Sequence, residues 1–262
     1  MMKALLILLV ILLASCHSQP NCDVERVEFV ALHGRCEPVL QLADCFWGKG
    51  NFEFAAYNYI AYLKDCDTTY EILVNTVDGL FKSDKSEQAL PLAKRCMAKY
   101  PDQRLSYYNL AVIEFNREKY LEALMILEDY PDLESDHELC FLAFEAAWFA
   151  DYYETAYRHV RRAIELKPDE DEYRTRYAAL LCSYEEFEKA LEIVKPVYER
   201  IDDTAYYHFS LTDLLVSIYF SLGDTTEACI LNEELNRKKE FAEIYLENLN
   251  TCETKSRKHN IH

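Results

Sequence analysis

Residues that break helices are scarce in this chain, with 5 glycines and 7 prolines among 262 residues. That scarcity is what a nearly all-helical protein requires, and it leaves little material for turn-rich architectures. Positive charge is short as well: 28 Lys and Arg stand against 46 Asp and Glu, for a formal net charge of −18. Binding to a phosphate backbone needs a basic surface, so nucleic acid is excluded as a partner class. Beyond the N-terminus no apolar run is long enough to cross a bilayer. The motifs that carry chemistry are missing too. There is no HExxH, no GxSxG elbow, no P-loop and no GxGxxG, and the ten cysteines form neither CxxC pairs nor a Cys/His cluster with zinc spacing. We therefore expect no enzyme, no metal and no cofactor. His159, one of seven histidines, is expected at the surface or half-buried rather than as a ligand.

What the chain does have is a ladder. Alanine recurs at Ala55, Ala89, Ala123, Ala156, Ala190 and Ala228, in steps of 34, 34, 33, 34 and 38 residues. One small side chain at that interval is what a row of helical hairpins needs, because each hairpin has one tight helix–helix contact at the same place. Other positions keep the register. Three residues before the alanines stand Phe52, Ser86, Tyr120, Tyr153, Phe187 and Thr225. Twelve before them stand Ala43, Val77, Ala111, Phe144, Ala178 and Val216, and four after them Tyr59, Ala93, Leu127, Val160, Val194 and Asn232. Pro101 and Pro168 follow twelve residues after Ala89 and Ala156, where proline would stop the second helix. The aromatic before the alanine is expected to fill the space beside the hairpin turn.

These positions resemble the tetratricopeptide pattern, most clearly in Tyr153, Ala156, Val160, Ala163 and Pro168. The resemblance covers about residues 36–240, with repeats starting near Cys36, Tyr70, Arg104, His137, Asp171 and Phe209. It implies an all-α, right-handed α-solenoid of about six hairpins with terminal capping helices. The caps are expected at 23–33, within a 16–35 tether and cap, and at 240–249, within a 241–262 capping helix and polar tail. In the family the ligand-facing side chains lie on the first helix of each hairpin. The matching positions here include Asp78, Tyr108, Asn116, Phe141, Glu145 and Phe149, with Asp44, Glu71, Lys82, Glu138, Glu172, Thr175, Ser183, Asp213 and Ser217 beside them. Chaperone-binding members grip a terminal carboxylate with lysines and asparagines on this face, whereas this chain offers mostly carboxylates, so that clamp is absent. Aromatics next to acids suit a protein or peptide partner that is basic and carries apolar anchors. The competing reading has these aromatics packed between repeats and the acids merely solvated.

Residues 1–15 have one lysine, Lys3, followed by the run LLILLVILLA, the shape of a secretory signal. Leu13-Ala14-Ser15-Cys16 resembles the bacterial lipobox, which implies a lipid on Cys16 and an envelope lipoprotein facing the periplasm or exterior. The membrane would then be touched only through that lipid. An ordinary signal cut after Ala14, Ser15 or Ser18 would instead leave a secreted or luminal binding protein. Cys96, Cys140 and Cys182 fall on helix positions that face neighbouring helices and are expected as small buried hydrophobes. Cys36 opens the first helix of repeat one and Cys66 closes its second. A hairpin brings those ends together, so Cys36–Cys66 is a reasonable disulfide in an oxidising compartment, with Cys22 able to compete for either partner.

Overall fold

The structure, a computed structural model, describes residues 36–201 and 208–237, the last two and first two residues of the final helix pair (208, 209, 236 and 237) by their backbone alone. Cys16, Cys22, the leader, both expected caps and the basic tail lie outside the described residues. Among the described residues there are twelve α-helices, one 3-10 turn and no strand. They divide into two compact units, one up to Pro131 and one from Asp132. The first holds α1 (Cys36–Gly48), α2 (Phe52–Asp65), α3 (Tyr70–Phe81), α4 (Ser86–Lys99), α5 (Arg104–Asn116) and α6 (Tyr120–Glu128). The second opens with the 3-10 turn Leu133–Ser135 and continues with α7 (His137–Phe149), α8 (Tyr153–Leu166), α9 (Asp171–Ser183), α10 (Phe187–Arg200), α11 (His208–Leu222) and α12 (Thr225–Arg237).

Each helix pair is an antiparallel hairpin, and the ladder register sets where its helices begin. The residues three before the alanines (Phe52, Ser86, Tyr120, Tyr153, Phe187 and Thr225) are the first residues of the six second helices. First helices start at Cys36, Tyr70, Arg104, His137 and Asp171, as the repeat spacing predicts, and the sixth at His208, one residue earlier than predicted. All six ladder alanines are 0 % exposed, and every residue twelve before or four after them is buried. Small side chains are needed there because any added carbon would push two backbones apart. Gly79 shows how close the approach is: a Cβ on it would stand 3.1 Å from Ala56 Cβ and 3.1 Å from the Phe52 carbonyl oxygen.

The turns repeat as strictly as the alanines. Five residues before each ladder alanine the backbone enters the left-handed region: Gly50 (φ 72°), Asp84 (57°), Glu118 (61°), Asp151 (63°), Glu185 (60°) and Gly223 (81°). In the first five hairpins the next N–H reaches back to the helix just ended. Asn51 donates to the Phe46 carbonyl at 2.9 Å, Lys85 to Leu80 at 2.9 Å, Lys119 to Glu114 at 2.9 Å, Tyr152 to Ala147 at 2.8 Å and Glu186 to Leu181 at 3.0 Å. This is the Schellman arrangement, which satisfies carbonyls at a helix end and favours glycine at the left-handed position. Four of the six sites hold a carboxylate residue instead, at a backbone cost. Start signals are supplied by Asn51, Thr69, Asp136 and Asp224, whose side-chain oxygens accept from N–H groups of the first helical turn.

In the first unit one core gathers Ala43, Ala55, Tyr59, Leu73 and Cys96, and a second gathers Ala56, Val77, Leu80, Ala89 and Ile113. The Trp47 ring meets Phe52 edge-on at 5.2 Å, so that aromatic does fill the turn of hairpin one. Tyr120 does the same against Phe115 at 5.1 Å. The Cys36 and Cys66 sulfurs are bonded, with a Cα–Cα distance of 5.7 Å, closing hairpin one at its open end. Cys45 and Cys229 each take part in a disulfide as well. In the second unit the core joins Ala178, Ala190, Val194, Leu211, Leu215, Val216 and Leu231.

Three expectations are corrected. His159 is fully buried, because it shares the 156–159–160–163 stripe that α8 turns inward; its Nε2 lies 3.3 Å from Arg158 Nη2 and its Nδ1 3.9 Å from Glu134 Oε1. Tyr153 does not fill its turn but stays 40 % exposed, its hydroxyl donating to Asp151 at 2.7 Å. Cys96 and Cys140 are buried, but Cys182 is only partly so.

Candidate functional site

The candidate ligand-facing residues fall three in each unit. In the first, Asp78 (α3) and Tyr108 (α5) come together around a hollow of about 210 Å³. Val77, Phe81 and Val112 give it apolar walls, and Lys82 joins Asp78 at the rim. Lys82 bonds Asp78 at 2.8 Å, one helical turn away, and its ammonium sits 5.1 Å from the Trp47 ring and 4.8 Å from the Phe52 ring. The pair therefore neutralises the rim and holds it against hairpin one. Tyr108 is half-buried with the Arg104 guanidinium 5.6 Å from its ring. Asn116 is not part of this hollow; it is exposed, and its amide turns back to donate to the Val112 carbonyl at 2.8 Å.

In the second unit Phe141, Glu145 and Phe149 follow one another at every fourth residue along α7, which puts them on one stripe. Phe141 is stacked on Tyr173 of α9, centroids 4.4 Å apart, so much of its ring is spent on packing between hairpins. Tyr173 is held in turn by His137, whose Nδ1 is 2.8 Å from the tyrosine oxygen. Burial and nearby carboxylates push that phenol up to about 12. Glu145 is half-buried, and loss of water raises its carboxyl above the usual range; Arg176 counters this and Glu172 adds to it. Phe149 ends the stripe 57 % exposed.

The sequence reading missed an arginine group on the second unit. Arg161, Arg174 and Arg200 surround a hollow of about 460 Å³ beside Tyr177, and the signal for it was the run Arg158, Arg161, Arg162. Carboxylates offset these cations in part. Asp171 accepts from both Arg174 and Arg200, Glu165 from Arg162 at 3.1 Å, and Glu165 and Glu192 line the same hollow. The Arg161 guanidinium lies 5.7 Å from the Tyr157 ring.

Reactive groups are held back from chemistry. Burial raises the thiols of Cys96 and Cys182 and pushes that of Cys140 up to about 12, far from a thiolate at neutral pH. Among the described residues no group of three His, Cys, Asp or Glu could hold a metal ion. No helix among them is long and apolar enough to cross a membrane.

No protein-family model matches the chain, and no curated protein matches it in sequence. Solved structures do match. PilF of Pseudomonas aeruginosa superposes with a TM-score of 0.66 at 14 % identity, over 80 % of this chain and 95 % of that one. The fold is the tetratricopeptide fold. The C-terminal part of a TPR repeat-containing protein from Cytophaga hutchinsonii superposes with a TM-score of 0.62 at 14 % identity, over 85 % of this chain and 92 % of that. YrrB, a TPR protein described as having an unusual peptide-binding site, gives 0.60 at 15 % identity, over 74 % and 98 %. The tetratricopeptide likeness thus rests on shape, carried by the register of small residues and turns rather than by shared sequence.

Proposed function

We propose that this chain is a non-catalytic protein-interaction scaffold that works outside the cytoplasm and binds a basic peptide segment with apolar anchors. The hollow between α3 and α5 carries the reading of an apolar anchor: an apolar side chain fits between Val77, Phe81 and Val112, with Tyr108 and the Lys82–Asp78 pair at the rim, while the net acidity of the chain favours a basic segment. The tetratricopeptide fold puts first-helix side chains of successive hairpins next to one another, as this hollow requires. Glu145 and Phe149 on α7 offer a second acidic and aromatic pair of the same kind. A cytoplasmic thiol pool would reduce a bond such as Cys36–Cys66, so the disulfides favour an oxidising compartment, in agreement with the apolar leader. The Leu-Ala-Ser-Cys sequence supports a lipid on Cys16 and an envelope tether, and from there a role in assembling an envelope complex. The disulfides equally suit a secreted or luminal protein without a lipid.

Two measurements test this. Val112→Trp fills the hollow without touching the ladder. A partner captured by the native chain from an envelope or secretion fraction should be lost by this variant while its helical circular dichroism is unchanged. A partner held equally by both moves the site elsewhere. Intact mass of the mature protein should show acyl chains on Cys16; an N-terminus at another residue removes the tether and leaves the secreted scaffold.

A further inference from the structure

Hairpins four and five place their turns side by side, and there the second unit exposes a group of tyrosines. Tyr152 is 50 % exposed, Tyr153 40 % and Tyr184 44 %. Tyr153, first residue of α8, meets Tyr184, the residue that follows α9, edge-on at 6.4 Å, so rings from two hairpins form one ridge. Both sit beside the left-handed residues Asp151 and Glu185, which set the backbone at these helix ends. Acids flank the ridge. Asp151 accepts from the Tyr153 hydroxyl, and Glu154 and Glu185 are exposed. The cation of the adjoining turn, Lys189, is already tied to Glu186 at 2.6 Å.

We infer that this ridge is a docking surface for an arginine- or lysine-bearing segment of a partner protein, separate from the hollow between α3 and α5. Charge complementarity selects that occupant: exposed ring faces attract a guanidinium or ammonium, three carboxylates stand beside them, and the whole chain carries −18. Arginine gains most, because it stacks on a ring while its N–H groups reach a carboxylate. The surface draws on the turns alone and makes no use of the first-helix face of the hairpins.

Anisotropy of a labelled peptide of alternating arginine and glycine, at about 0.15 M salt to screen long-range attraction, measures the site directly. The double variant Tyr152→Ser and Tyr184→Ser leaves net charge unchanged, and serine at 152 suits the N-cap of α8, where tyrosine makes no capping bond. It should bind about tenfold more weakly. A triple change, Asp151→Asn, Glu154→Gln and Glu185→Gln, should weaken binding more than Asp67→Asn, Asp102→Asn and Glu122→Gln, which remove as many charges from the first unit away from its ligand-facing positions. Unchanged affinity of the serine variant, equal losses in the two charge variants, or no binding by the native chain would each overturn the proposal. A Val112→Trp chain should bind this peptide normally, so failure here is distinct from failure at the α3–α5 hollow.

Discussion

On either side of the left-handed turn position stand Lys49 and Asn51, Ser83 and Lys85, and Arg117 and Lys119 in the first three hairpins, but Ala150 and Tyr152, and Tyr184 and Glu186, in hairpins four and five. The backbone is the same in both sets, with the same positive φ and the same returning hydrogen bond. In the first unit the cations join neighbouring hairpins: Lys85 pairs with Glu53 at 3.2 Å, and Arg117 with Glu87 at 2.9 Å. In the second unit the neighbouring turns meet through the Tyr153–Tyr184 ring contact. An edge stitched by ion pairs consumes its own charges. An edge joined by a ring contact leaves Tyr152, Tyr153 and Tyr184 well exposed, with Glu154 and Glu185 exposed beside them. One repeat geometry can therefore present a self-satisfied rim in one half and a receptive one in the other.

The disulfide offers the largest break between the halves. Cys36–Cys66 closes a loop across a sequence separation of 30, and replacing both cysteines by serine should cost about 3–4 kcal/mol in the unfolding free energy. Denaturant titration gives the magnitude, and hydrogen exchange should show the loss concentrated in α1 and α2. Equal deprotection of α9 and α10 would mean that the two units do not open separately. Ala156→Leu comes next. Overpacking the hairpin at a fully buried site should cost about 1–3 kcal/mol, and Ala89→Leu should cost the same if the ladder position is equivalent in both units. Full stability in either variant would break the register.

Smaller effects sharpen the turn comparison. Gly50→Ala should lose about 1 kcal/mol, because the added Cβ is strained at positive φ. Glu185→Gly should gain a few tenths of a kcal/mol to about 1, offset in part by chain entropy. A loss at Glu185 would show that its carboxylate contributes more than its backbone costs. The smallest effect is a pH dependence. Burial makes the folded chain hold the Glu145 proton to higher pH than the unfolded chain does, so stability falls as pH rises from the ordinary carboxyl range through the raised value. Glu145→Gln should therefore stabilise the protein at neutral pH and make no difference below about pH 4. Melting temperatures at the two pH values decide this.

Much of the architecture was legible because a repeat writes each packing rule several times. Ala55, Ala89, Ala123, Ala156, Ala190 and Ala228 obey one rule, and their agreement outweighs the weakness of any single residue as a signal. The turns were harder. Gly50 and Gly223 announce a left-handed residue, but Asp84, Glu118, Asp151 and Glu185 occupy the same position without doing so, since an acid is ordinary in any exposed loop. His159 misleads for the opposite reason: its residue type points to the surface, while its place on the 156–159–160–163 stripe buries it. The candidate site residues lie on the first helices of their hairpins, as the repeat spacing predicts, but the contacts they make could not be read from it. That Lys82 bonds Asp78 against two rings, that Phe141 stacks on Tyr173 and that Asn116 turns back on its own helix depend on rotamers and on neighbours some 30 residues away.

By itself, then, the sequence determined the helical class, the hairpin period, the places where helices begin and the residues that must be small. These follow from local periodicity and from steric limits that recur along the chain. Which charges are cancelled, which rings are buried and which turn edge is left open come from the packing of hairpins against one another. Those outcomes depend on side chains from different hairpins meeting across distances that no spacing along the chain encodes.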